Sequence, residues 1–285
     1  MLDGRLLVDA HVHVARLPTL SSDWQAWARN YGGVPISQLF DAAGTPVPAA
    51  MDEHFAAEGA DRVLLFTEHS PKATGIQPIE DVLPLIEHNP VRFRPVANIN
   101  PHLHYPVKRE LARQVSLGAV ACKLHPVHGG FEPADRMLYP AYAFCEERGL
   151  PAIVHCGTST FSGSANAYGE PALLDPVFRD FPELTVVLAH GGRGWWYDQA
   201  AFLAQMRPAV WLEVSGLPPA RLPDYYGTAL ARLADKLVFG TDWPGVPGVQ
   251  RNARALEKVL LEADCTAEQV AAALGGNAER IFRLA

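Results

Sequence analysis

The stretch Leu6-Leu7-Val8-Asp9-Ala10-His11-Val12-His13 decides the fold. A short aliphatic run ends in one acid and two histidines, where a dinucleotide-binding doubly wound sheet would carry a GxGxxG turn after its first strand. No such turn follows here. Side chains two apart on a strand project to the same face, so both imidazoles are expected in one barrel mouth. Seven further short β-branched or aliphatic runs lie at 62–66, 93–99, 119–124, 152–155, 185–189, 210–214 and 236–239. Many are apolar on both faces, as parallel strands covered by helices must be. Apolar residues at helical spacing fill the intervals at 79–88, 106–116, 134–148, 171–179 and 220–234. Eight βα units predict a (β/α)8 barrel, one domain over residues 1–285, with a doubly wound open sheet as the alternative.

Two segments break the rhythm. Residues 16–50 are a long connection rich in Pro and Gly that carries Trp24, Trp27 and Tyr31. Such loops are uncommon unless they act as lids or binding loops, so it is read as a lid or insertion; an ordinary decorated loop or a dimer contact is the other reading. Residues 267–274 and 277–284 are expected to be closing helices, with Gly275-Gly276 as C-cap and hinge.

Composition narrows the partners. Lys and Arg number 24 against 31 Asp and Glu, a net charge of −7, and no basic cluster is present. Nucleic acid and anionic membrane surfaces are therefore not expected partners, and a small-molecule substrate is. No apolar run reaches a membrane span, and the first ten residues carry Asp3, Arg5 and Asp9 where a signal peptide would be apolar, so a cytoplasmic location is expected. Cys122, Cys145, Cys156 and Cys265 form no CxxC pair, which argues against a thiolate zinc site.

In such a barrel the reactive groups come from the C-terminal strand ends. Histidine and aspartate recur there: His11 and His13, then His125 after Lys123, then His155, His190 and Asp242. His11, His13, His155 and Asp242 make three imidazoles and a carboxylate, a set suited to zinc or a similar divalent ion with room for water. Such an ion generates a nucleophilic hydroxide at neutral pH or polarises a carbonyl. His190 is then placed for acid–base work, and Asp242 either binds the ion and shuttles a proton or only accepts one. The pair His102 and His104 is read as loop surface. Candidate substrate contacts are His125, Glu68, His69, His128, Arg193, Trp195 and Trp243, with Trp195, Trp196 and Trp243 as possible walls for a flat substrate.

These residues resemble the amidohydrolase superfamily, and within it the group that includes aminocarboxymuconate-semialdehyde decarboxylase and the resorcylate-type decarboxylases. The motifs are Asp-x-His-x-His at 9–13, Lys-Leu-His-Pro at 123–126, Val-His-Cys-Gly at 154–157, Ala-His-Gly-Gly at 189–192, Gly-Thr-Asp-Trp-Pro at 240–244 and the closing Gly-Asn-Ala-Glu-Arg-Ile-Phe at 276–282. The resemblance implies a distorted TIM barrel, metal ligands His11, His13, His155 and Asp242, and His190 as catalytic histidine. It also implies a homodimer. Lys123 carries three readings: an uncarboxylated lysine that binds a substrate carboxylate or oxyanion, a carboxylated bridge between two ions, or a buried structural lysine. One divalent ion per chain, zinc first, is expected, and two if Lys123 is carboxylated. The activity expected is metal-dependent hydrolysis of an amide, ester or lactone. Non-oxidative decarboxylation of an aromatic or unsaturated acid is the alternative, and a metal-free lactonase the third reading.

Overall fold

The computed structural model describes residues 1–30, 36–246 and 248–285. Tyr31 lies outside the described residues. The strands are β1 (Val8–Val12), β2 (Arg62–Phe66), β3 (Glu68–Ser70), β4 (Gly75–Gln77), β5 (Phe93–Ile99), β6 (Cys122–Leu124), β7 (Ala152–Gly157), β8 (Val186–Arg193), β9 (Val210–Glu213) and β10 (Leu237–Val238). All except the β3–β4 hairpin form one eight-stranded sheet of parallel pairs in the order β1-β2-β5-β6-β7-β8-β9-β10. Three backbone hydrogen bonds then join its ends: Ala10 N to Phe239 O at 3.1 Å, Asp242 N to His11 O at 2.9 Å and His13 N to Trp243 O at 2.8 Å. The expected barrel is present, and the open sheet is excluded.

Alternation along the strands divides the core. Val8, Ala10, Leu64, Val96, Ala121, Ile153, Val187, Ala189 and Val238 pack together inside the barrel, where Ile281, Phe282 and Leu284 join them. Leu7, Val12, Val63, Leu65, Cys122, Leu124, Val154, Leu188 and Leu212 face the helices. This alternation matters for β1. Asp9 pairs with Val63 but Val12 with Leu65, so β1 holds one more residue than β2 over that interval. A bulge of this kind re-aims side chains. Without it His11 and His13 would share the outward parity of Leu7; with it they stand above Val8 and Ala10.

Asp9 fastens the closure. Its carboxylate accepts from Thr241 N at 2.9 Å and from Thr241 Oγ1 at 2.7 Å, which ties β1 to the turn carrying Asp242.

Several local expectations change. The 16–50 connection contains helices α1 (Ser22–Asn30) and α2 (Ile36–Leu39) and the start of α3 (Pro48–Ala57), so it is not a plain loop. Gly275-Gly276 is no hinge: residues Ala272–Gly276 form a π-turn that continues into the helix Asn277–Phe282. Gly275 is there for closeness, since a Cβ on it would stand 2.5 Å from the Leu6 carbonyl oxygen. The 14-residue helix Val249–Glu262 falls outside the helices read from sequence. Among the described residues no helix is long and apolar enough to cross a membrane.

Candidate metal and catalytic centre

A cavity of about 260 Å³ opens at the C-terminal ends of the strands. His13, His125, His128, His155, His190 and Asp242 line its floor, and Arg193 its side. Trp24 and Trp27 from α1 and Phe161 from the turn after β7 form the apolar wall, with Trp27 and Phe161 edge to face at 5.7 Å.

His11, His13 and Asp242 form one group. Asp242 Oδ1 is 3.6 Å from His11 Nε2 and 3.4 Å from His13 Nε2. On the far side of His11, Nδ1 lies 2.9 Å from Glu213 Oε2 and 2.9 Å from Ser215 Oγ. Ser215 also donates to Glu213, and its backbone N–H does the same. The carboxylate fixes the proton of His11 on Nδ1 and leaves Nε2 as a lone pair in the buried floor, without a hydrogen-bond partner among the described residues. This is the carboxylate–histidine arrangement that orients a metal ligand. Burial, with the Lys123 charge adding to it, holds the His11 pKa well below the ordinary histidine range, so the ring stays neutral. Burial also pushes Glu213 up to about 7, against the pull of Lys123. For Asp242, burial is outweighed by the hydrogen bond from His13 and the positive charge of its neighbours, Arg193 among them, which hold it well below the usual carboxylate range.

His190 reaches the cavity by backbone conformation. Val187 and Ala189 point inward, so regular alternation would send His190 outward; its φ of +65° turns it in. Asp242 has φ +64°. Left-handed backbone at non-glycine residues costs roughly 1–2 kcal/mol and gathers at functional sites. His190 Nδ1 donates to Ser215 O at 3.1 Å, and burial keeps the ring neutral, so Nε2 is its acceptor.

His155, expected with His11, His13 and Asp242, is grouped instead with His125 and His128. Its ring still stands 4.6 Å from that of His190, so the imidazoles run continuously around the floor.

The remaining expectations divide. Arg193 is half-buried beside Asp242, with Nη1 3.7 Å from Oδ2, and its Nε and Nη2 are anchored on Thr158 O. His125 and Glu68 line the cavity. Lys123 does not: it is fully buried beneath the histidines, with Nζ 4.8 Å from the Phe66 ring and no hydrogen-bond partner among the described residues. Burial lowers its pKa to about 8, although Glu213, Asp242 and Glu68 pull the other way. Besides Lys123, two further substrate assignments need correction. His69 alternates with Glu68 on β3 and turns away, towards Asn98 Oδ1 at 3.2 Å and the His104 ring at 4.5 Å. Trp243 is fully buried against Phe55 and His54 and does not line the cavity. Trp195 is largely exposed. The aromatic wall comes from α1 instead. Glu213 and Ser215 escaped the sequence reading, although an acid at an inward position of an otherwise apolar strand was the signal.

The donor set fits a divalent ion: a lone-pair nitrogen on His11 without a partner, His13 beside it, and an ionised carboxylate within 3.6 Å of both. Comparison with known proteins agrees. A family model described as Amidohydrolase matches residues 8–284. An uncharacterised TIM-barrel protein from Bordetella bronchiseptica superposes with a TM-score of 0.76 at 26% identity, covering 98% of each chain. The 5-carboxyvanillate decarboxylase of Sphingomonas paucimobilis shares the fold with a TM-score of 0.67 at 17% identity, over 99% of this chain and 100% of that one. Among curated proteins, a dihydroorotase from Delftia acidovorans is 30% identical over 149 residues, 48% of this chain but only 42% of that protein's length. With the family model covering nearly the whole chain, the protein belongs to the amidohydrolase family of enzymes.

Proposed function

We propose that the chain is a zinc-dependent hydrolase that adds water to an amide, ester or lactone of a small organic substrate. One observation carries the reading: the Asp242 carboxylate has Oδ1 beside His11 and His13 and Oδ2 beside Arg193, so it is poised as a proton acceptor next to the ion site. Hydrolysis needs a base for water first, whereas decarboxylation needs an acid to protonate carbon. His11, His13 and Asp242 would hold the ion. When bound, it supplies Lewis acidity and lowers the pKa of water towards 7.

Asp242 accepts the proton of the attacking water and returns it to the leaving group. His190 accepts a hydrogen bond from that water through Nε2 and aims it, because Nδ1 is tied to Ser215 O. Arg193 Nη1 offers positive charge to the developing oxyanion, its other nitrogens being held by Thr158 O. Trp24, Trp27 and Phe161 exclude water from the apolar part of the substrate.

The test is a screen of lactones, linear amides, dihydroorotate and aromatic acids with zinc-loaded protein in ¹⁸O-labelled water. One ¹⁸O in the carboxylate of the product is the expected result. Release of carbon dioxide from an acid, with no ¹⁸O in the organic product, overturns it in favour of decarboxylation.

A further inference from the structure

Three consecutive residues at the end of β8 have left-handed backbone: His190 at φ +65°, Gly191 at +54° and Gly192 at +79°. Chains of L-residues visit this region as single residues, so a run of three does not hold itself. The run matters because it turns the His190 ring from the outward parity of its strand into the cavity. The hydrogen bond from Nδ1 to Ser215 O fixes the ring itself, not the backbone that carries it. Further along, Arg193 O accepts from Thr158 N at 2.8 Å, which fastens the far end of the turn.

Tyr226 meets the interval between. It ends the short helix Leu222–Tyr226, 35 residues along the chain from Gly191, and its buried hydroxyl donates to Gly191 O at 2.8 Å. A Cβ on Gly191 would overlap Tyr226 Oη, so the glycine is what lets the phenol reach the carbonyl. Burial holds the phenol pKa well above the ordinary tyrosine value, and the hydroxyl remains a donor. The ring is fixed in turn: it stands edge to face with Tyr197 at 5.9 Å, and Tyr197 stacks on Tyr225 at 4.3 Å. Tyr226 does not line the cavity, so it can act on the reaction only through the turn.

We propose that Tyr226 is a positioning residue for the reaction: its hydrogen bond to Gly191 O locks the left-handed turn at 190–192 and with it the aim of His190 Nε2. The inference rests on the role given to His190 in the hydrolysis above and extends it to a residue outside the cavity. Without the phenol, a buried carbonyl loses its donor and swings towards another partner. Gly191 and Gly192 leave the backbone free to make that swing. The ion site and the aromatic wall stand on other elements and keep their places.

The experiment compares the zinc-loaded full chain with its Tyr226→Phe, Tyr225→Phe and His190→Ala variants. Tyr226→Phe keeps the ring and its packing and deletes only the donor. One readout needs no substrate: in protein labelled with ¹⁵N at histidine, the His190 ring resonances are assigned by their loss in His190→Ala. They should shift in Tyr226→Phe and stay in place in Tyr225→Phe. The second readout is steady-state kinetics on whichever substrate the ¹⁸O screen identifies. Tyr226→Phe should lower kcat by about 10–100-fold, with KM and zinc content as in wild type, the pattern for a misaimed group beside an intact site. Tyr225→Phe should turn over like wild type. Unmoved His190 resonances in Tyr226→Phe overturn the inference whatever the reaction proves to be. Wild-type kcat in Tyr226→Phe, or an equal fall in Tyr225→Phe, also overturns it and leaves hydrolysis standing. Full turnover by His190→Ala instead removes the aiming role of His190, and the inference falls with it.

Discussion

Glu213 Oε2 lies 2.9 Å from Nδ1 of His11, and Ser215 Oγ bridges that nitrogen to Nδ1 of His190 at 2.9 and 3.1 Å. One hydroxyl thus links the ring proposed to hold the ion with the ring proposed to aim the water. Glu213 acts through His11, so it is a positioning residue. Glu213→Gln should weaken zinc binding by about 10–100-fold, measured by competition with a chromophoric chelator. Zinc affinity equal to that of wild type would show that the carboxylate does not orient His11.

Asp242→Asn keeps the size and the tolerance of left-handed backbone that φ +64° requires. It removes the proton acceptor. Turnover should fall by about 10²–10⁴-fold on whichever substrate the screen identifies, with little change in melting temperature. Full turnover by this variant would remove Asp242 from the mechanism.

Asp9 sets a pH dependence of stability. Burial raises its pKa from 3.8 to about 7, against the donors on Thr241. A carboxyl raised on folding binds more proton in the folded than in the unfolded chain between those two values. Its contribution to stability is therefore complete below about pH 4 and is lost as pH rises to 7, at no more than about 1.4 kcal/mol per pH unit. Urea unfolding across pH 4–7 should show Asp9→Asn with a flatter profile than wild type. Parallel profiles would mean that Asp9 is ionised in the fold throughout that range.

Gly245 tests the wall that α1 contributes. A Cβ there would overlap Trp27 Cζ2, so Gly245→Ala must displace Trp27 from its place in the cavity wall. Steady-state kinetics should give a higher KM with kcat changed much less, the pattern for lost substrate packing without damage to the reacting groups. An unchanged KM would mean that Trp27 does not touch the substrate.

The fold was legible because its strands are apolar on both faces and because chemistry accumulates at their ends. His11, His13, His125, His155, His190 and Asp242 all lie on the cavity floor or directly beneath it. Spacing alone was insufficient for their aim: the β1 bulge and the positive φ of His190 decide which way those side chains point, and neither has a sequence signature as plain as HxH. His69 illustrates the same limit, since a hairpin strand of period two presents Glu68 to the cavity and His69 to Asn98. Trp243 looked like a wall because it follows Asp242 directly, but the turn buries it behind the site. Glu213 was hidden inside Val-Trp-Leu-Glu, where an acid reads as a strand end until its partner His11, 202 residues away, is known.

The central claim is that His11, His13 and Asp242 hold a divalent ion on which turnover depends. The most direct measurement is metal content per chain by plasma mass spectrometry, on protein purified without chelator or polyhistidine tag, alongside turnover before and after chelation. The account predicts at least one divalent ion per chain, one fewer in His11→Ala, and turnover that chelation abolishes and zinc restores. A folded, metal-free protein that hydrolyses a lactone as fast as the zinc-loaded one would contradict it and leave the histidines as acid–base groups alone.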